Sequence, residues 1–186
     1  KTGEDVYARV GGDPTIFRVA ASLLDDLQPK LLDLREKKVV LVEPFTVTRA
    51  ELKLPSGTAL LVQADGVWQM VKPLAGKASG QAVSDMLNKV SQLHATAFRD
   101  NVTTLEQFGL DAPKATITLH QAGKDETVSL LIGDLTPSGE MTFVKSASGK
   151  AVAVVPSLDV TPLLAAAASY WDTDLLTVPD AAEITK

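Results

Sequence analysis

At 186 residues, with 45% hydrophobic and 22% charged side chains, the chain has the composition of a globular protein that can bury one large core or two small ones. It has no cysteine, which excludes disulfides, thiolate metal sites and thiol nucleophiles together. A formal net charge of −5 argues against a nucleic-acid or anionic-membrane surface, where affinity comes from neutralising phosphates with Lys and Arg.

Val6–Val10 and Thr15–Val19 are short β-rich runs separated by Gly11-Gly12-Asp13-Pro14, and together they predict a hairpin. Ser22 is placed to cap a helix, with Asp25 near its positive end. Leu23, Leu24, Leu27, Leu31 and Leu34 follow at near-helical spacing, and Pro29 divides the run. The basic cluster Arg35-Glu36-Lys37-Lys38 is interrupted by acid and reads as a solvated face. The apolar runs Lys38–Val42 (KVVLV) and Pro162–Trp171 (PLLAAAASYW) are strand-sized and helix-sized, well short of the roughly 18–20 residues that span a bilayer.

A β-meander follows. Thr48, Ala50, Leu52 and Leu54 alternate with Arg49, Glu51 and Lys53, the pattern of a strand with one face in the core. Pro55-Ser56-Gly57 turns into Ala59–Gln63, and Asp65-Gly66 is a tight-turn signal leading into Val67–Val71. Ser79 is placed to cap a helix whose apolar positions Val83, Met86, Leu87, Val90 and Leu93 form one buried stripe. Beyond a connector, Ala115, Ile117 and Leu119 face one way and Thr116, Thr118 and His120 the other. Strands are predicted at Thr127–Ile132, Met141–Lys145 and Ala151–Val155, then a helix over Leu158–Tyr170 with a second start signal at Thr161-Pro162.

The order of elements repeats. Val6–Leu24 (VYARVGGDPTIFRVAASLL) sets beside Thr142–Val160 (TFVKSASGKAVAVVPSLDV), with Ser22 on Ser157, Leu23 on Leu158 and Val19 on Val154. The offset is too long for a solenoid, so a duplicated supersecondary block is expected. On that reading residues 1–42 are the tail of one copy, 43–178 a central unit and 179–186 the start of another, and the chain is a piece of a longer protein. The expected fold is α+β: a predominantly antiparallel sheet of hairpins and meanders, helices packed on one face, and an internal duplication.

Reaction chemistry is not visible. Ser146–Ala151 (SASGKA) hints at a phosphate loop, but Val144 stands where the first glycine belongs and Ala151 where a magnesium-holding hydroxyl belongs. No Gly-x-Ser-x-Gly or Ser-x-x-Lys frame supports a serine nucleophile. His94 and His120 are the two histidines and lack metal-ligand spacing. Asp172 and Asp174 form a carboxylate pair that suits a solvated turn better than acid–base work or calcium. No catalytic, cofactor or metal residue is therefore assigned. Trp68, Tyr170 and Trp171 are scarce large aromatics and the candidates for partner contact, although packing against the sheet explains each of them as well.

Gly109–Leu119 (GLDAPKATITL) and Leu130–Lys145 (LLIGDLTPSGEMTFVK), with Val6–Leu24 and Val47–Leu54 (VTRAELKL), resemble a bacterial domain-of-unknown-function family, number 4340, across nearly the whole chain. The resemblance implies a membrane-anchored bacterial protein with this domain outside the cytoplasm, linked to a gliding-motility-type ABC transporter and its auxiliary subunit. It carries no catalytic residues. The expected function is a non-enzymatic extracytoplasmic accessory or scaffold domain, with transporter or auxiliary membrane subunits as partners and no nucleic acid; a free sheet edge could take a partner strand. The rival expectation is a ligand-binding module for a sugar, peptide or lipid in a cleft between copies. A pocket lined by Trp or Tyr with convergent polar groups favours the rival, and a featureless surface favours the scaffold.

Overall fold

The computed structural model describes residues 5–9, 11–12, 14–22 and 34–173. The chain divides into two compact units, Lys1–Lys37 and Lys38–Lys186. In the first, strands β1 (Asp5–Ala8) and β2 (Phe17–Ala20) pair antiparallel with Val6 opposite Val19, which is the predicted hairpin. Tyr7, Ile16 and Phe17 of this ribbon are exposed. Of the predicted leucine run, Leu23 to Leu31 lie outside the described residues, as does the stretch 179–186, while Leu34 sits in a bend and is exposed.

The second unit is built on a nine-stranded sheet in which every pairing is antiparallel. Its strands are β3 (Val47–Leu54), β4 (Gly57–Ala64), β5 (Val67–Lys72), β6 (Gly76–Lys77), β7 (Ala97–Arg99), β8 (Ala115–Gln121), β9 (Thr127–Leu135), β10 (Met141–Ser146) and β11 (Val152–Pro156). Their spatial order is β6-β5-β4-β3-β8-β9-β10-β11-β7, a β3–β6 meander and a β8–β11 meander joined at the β3–β8 pair, with β7 added beyond β11. Local chemistry explains the turns. Asp65 and Gly66 both have positive φ, 52° and 80°, so the β4–β5 connection is a two-residue turn whose backbone twist suits the paired strands.

Burial follows the predicted alternation. Ala50, Leu52 and Leu54 of β3 and Ala115, Ile117 and Leu119 of β8 are buried. A register shift between Val47 and Arg49 marks a bulge, and it lets Val47 point into the core although the alternation further along would place Thr48 there. Helix α1 (Gly80–Ser91) begins where Ser79 accepts a hydrogen bond from the Ala82 N–H at 3.3 Å, the predicted cap. Its stripe of Val83, Met86, Leu87 and Val90, extended by Leu93, is buried in the main core with Ala50, Leu52 and Ile117.

Two expectations need correction, and three short segments carried no prediction of their own. The run Lys38–Val42 is not a strand: Lys38 makes one isolated bridge to His94, the Val39 N–H donates to the Leu93 carbonyl, and Val40 is buried. The helix expected over Leu158–Tyr170 is three short pieces: α2 (Ser157–Val160) and 3₁₀ turns at Thr161–Leu164 and Ala167–Tyr170. Pro162 has no N–H to give to the Leu158 carbonyl, and Ala165 and Ala166 are extended, with ψ of 151° and 145°. Leu163, Ala167 and Tyr170 are nevertheless buried, so the apolar spacing survives although the helix does not. The edge strands β6 and β7 had no sequence signal, being two and three residues long.

The helical pieces are also not confined to one face. The 3₁₀ turn Glu106–Phe108 joins Leu110 and Val152 in a second cluster with Leu131 and Phe143 packed against it. Leu131 and Phe143 neighbour Leu130, Ile132 and Val144, which belong to the main core, and successive residues of a strand point to opposite faces. The connector therefore covers the other side of the β9–β11 end.

Candidate functional site

The helix and the sheet part at one end of the main core. Gln63 on β4 stands opposite Trp68 on β5, so both side chains lie on the face that α1 covers. Ser84, Leu87 and Asn88 are i, i+3 and i+4 on α1 and share one side of it. The 3₁₀ turn Pro44–Thr46 enters β3 beside them. These elements enclose a groove of about 340 Å³ lined by Pro44, Phe45, Val47, Gln63, Trp68, Ser84, Leu87 and Asn88.

The groove has an apolar floor and an uncharged polar wall. Trp68 is 7% exposed, and its carbonyl accepts from the Ala78 N–H at 3.0 Å, which fixes its strand. Phe45 stands at the rim, 84% exposed. The side chains of Gln63, Ser84 and Asn88 and the indole N–H of Trp68 make no hydrogen bond to any other described residue, and none of these atoms is buried without a partner. All four residues line the groove. A buried indole usually finds an acceptor, so a Trp donor without a protein partner at a groove can serve recognition.

Of the aromatic candidates, Trp68 lines this groove. Tyr170 is buried in the main core, and burial raises its phenol pKa above the ordinary 10.0. Trp171 is half-buried and lies on Gly76, where a Cβ would meet its ring at 2.6 Å. Around it the chain closes the β6 edge of the sheet. Ala78 bridges Trp171, the Ser79 N–H donates to the Tyr170 carbonyl, and the Asp172 N–H donates to the Lys77 carbonyl. The Lys77 ammonium also meets the Asp172 carboxylate at 2.6 Å, while Asp174 lies outside the described residues.

The glycines of the two best-marked motifs hold a backbone crossing. Gly133 on β9 passes under the connector, where a Cβ would come within 2.2 Å of the Phe108 carbonyl oxygen. Gly109 ends the 3₁₀ turn at φ 63°, and a Cβ there would meet the Asp134 carboxylate at 2.5 Å. Asp134 is held by Lys114 at 2.9 Å, and the rings of Phe108 and Phe143 meet edge-on with centroids 4.9 Å apart. Close packing accounts for the Gly109 and Gly133 spacings without any ligand.

The remaining candidates stay dispersed. Ser146–Ala151 spans the β10–β11 turn, where the Lys145 ammonium donates to the Gly149 carbonyl at 2.6 Å; a phosphate loop would lead into a helix. His94 is exposed beyond the end of α1, its Nδ1 paired with the Gln92 carbonyl, and His120 sits opposite Arg49 on β3. Among the described residues no group of three or more His, Asp or Glu side chains could hold a metal ion. No helix among them is long and apolar enough to cross a membrane.

Sequence reasoning missed Phe45, Gln63, Ser84 and Asn88. Only Gln63 carried a signal, as a polar residue at the inward position that continues Ala59 and Leu61. Compared with known proteins, the chain matches one family model, described as Domain of unknown function (DUF4340), over residues 1–67 and 68–186. No curated protein and no solved structure matches it.

Proposed function

Since the chain belongs to the DUF4340 family, a membership that prescribes no reaction, we propose that it is a non-catalytic recognition domain whose ligand or partner seats in the groove between α1 and the β4–β5 end of the sheet. One observation carries this reading. Three polar side chains, Gln63, Ser84 and Asn88, line a space of about 340 Å³ together with Trp68 and have no hydrogen-bond partner among the described residues; the volume is within the roughly 300–1,000 Å³ range of small-molecule sites.

The groove lies within the second unit rather than between repeated copies. The β6 edge is closed by Trp171 and Asp172, which weighs against strand addition there as the route to a partner. The proposed setting is that of the family resemblance: an extracytoplasmic, membrane-anchored accessory of an ABC transporter system. The proposed duplication draws support from the two matched segments and from hairpins β1–β2 and β10–β11, which each run into a helical residue, Ser22 and Ser157.

Affinity purification of the full-length protein from its native membranes tests the accessory role. Transporter subunits should co-purify, and a preparation that recovers none of them ends that part of the proposal. The groove part is tested by Ser84→Trp, which places an indole in the space from an exposed helix position. The variant should fold normally and lose ligand.

A further inference from the structure

We propose that the groove binds a neutral sugar unit; this rests on the reading of the groove as a recognition site and names what it recognises. The lining contains no charged side chain, so it offers nothing to neutralise a phosphate, a carboxylate or an ammonium group. Desolvating such an ion without a counter-charge is costly, which removes anionic and cationic ligands. A purely apolar ligand fits no better. Gln63, Ser84, Asn88 and the Trp68 N–H would lose water and gain no partner beneath a lipid chain.

An extended peptide is usually held by its backbone against a strand edge. Here the walls are side chains of one helix face and of one sheet face, and β4 and β5 are paired to neighbours on both sides. What remains is a compact ligand that is polar around its rim and apolar on its faces. A pyranose has that shape. Its C–H face can lie on the exposed ring of Phe45, while its hydroxyls both donate and accept. The Gln63 and Asn88 amides and the Ser84 hydroxyl do the same, and the Trp68 indole only donates. The volume of about 340 Å³ suits roughly one or two rings.

The test uses the whole 186-residue chain, isotope-labelled, titrated by NMR with glucose, N-acetylglucosamine, their disaccharides, glucuronate and a neutral tripeptide amide. A neutral sugar should saturably shift the Trp68 indole N–H and the Gln63 and Asn88 side-chain amides, with glucuronate binding more weakly than its neutral parent. Asn88→Ala should weaken binding about fivefold to tenfold. Ser84→Trp should abolish it with the thermal midpoint unchanged. If the tripeptide moves these resonances and no sugar does, the ligand class is wrong while the recognition groove stands. If no probe moves them, both readings fall. Sugar binding that survives Ser84→Trp places the site elsewhere and overturns the proposal.

Discussion

The two ends of the nine-stranded sheet are finished differently. At the β9–β11 end both faces are covered, one by the main core and the other by the connector carrying Phe108 and Leu110. At the β3–β5 end the face under α1 is covered and opens into the groove beside Trp68, while among the described residues Val67 and Val71 on the opposite face are exposed. The clasped end holds the motif glycines, which are needed because two backbones cross at contact distance. The open end holds polar side chains without protein partners. Sequence distinctiveness and chemical availability therefore lie at opposite ends of one sheet, which warns against reading a well-marked motif as a site.

Substitutions separate the ends, and the largest effects belong to the clasp. Gly133→Ala should destabilise by about 3 kcal/mol in urea unfolding, because its Cβ would collide with the Phe108 backbone carbonyl, so that the backbone itself must shift. An unchanged midpoint would show that the crossing is loose. Gly109→Ala should cost about 2 kcal/mol, since it combines a left-handed backbone with crowding against Asp134. Partial recovery in the Gly109→Ala, Asp134→Ala double variant would measure the share due to the carboxylate, the left-handed backbone accounting for the rest. Ser79→Ala should cost about 1 kcal/mol by removing the cap of α1, the helix that walls the groove, and circular dichroism should show its first turn fraying.

Tyr170 adds a pH-dependent term to the strap that closes β6. Its folded pKa lies above the ordinary 10.0, so the folded state holds the phenol proton more tightly than the unfolded chain does. That stabilisation is complete below pH 10 and is lost as the pH rises through the folded pKa. Tyr170→Phe should therefore flatten the alkaline limb of the stability profile and leave neutral stability nearly unchanged. Equal alkaline slopes in the two proteins would assign the loss to other groups. The smallest effects belong to the groove: Phe45→Ser and Asn88→Ala, both at exposed positions, should stay within about 0.5 kcal/mol of the parent. A large loss from either would make the groove residues structural and erase the contrast between the ends.

Much of the sheet was legible residue by residue. The Asp65-Gly66 turn, the alternation of Ala115, Ile117 and Leu119, and the cap and stripe from Ser79 to Leu93 all depend on local backbone preference and period. What failed was of another kind. Lys38–Val42 is β-rich, yet it finds only one bridge, because a strand needs a continuous partner that its own residues cannot supply. Leu163, Ala167 and Tyr170 keep helical spacing without a helix, because burial periodicity records which residues face the core and Pro162 decides the hydrogen bonding. The strands β6 and β7 exist because β5 and β11 offered edges to pair with.

The groove was the least legible feature. Phe45 and Gln63 are eighteen residues apart in the chain, as their numbers show, and Asn88 lies on another element altogether. No spacing rule joins a 3₁₀ turn, three strands and a helix. By itself the sequence determined the antiparallel strands, the tight turns, the capped helix, the family and the exclusion of thiol chemistry, since each follows from residues close together or from composition. Only the tertiary structure decided which face the connector covers, that Gly109 and Gly133 serve a crossing, and that Trp68 meets Gln63, Ser84 and Asn88. Those are encounters between distant segments, set by how the sheet twists and by which surfaces are left over once the core is filled.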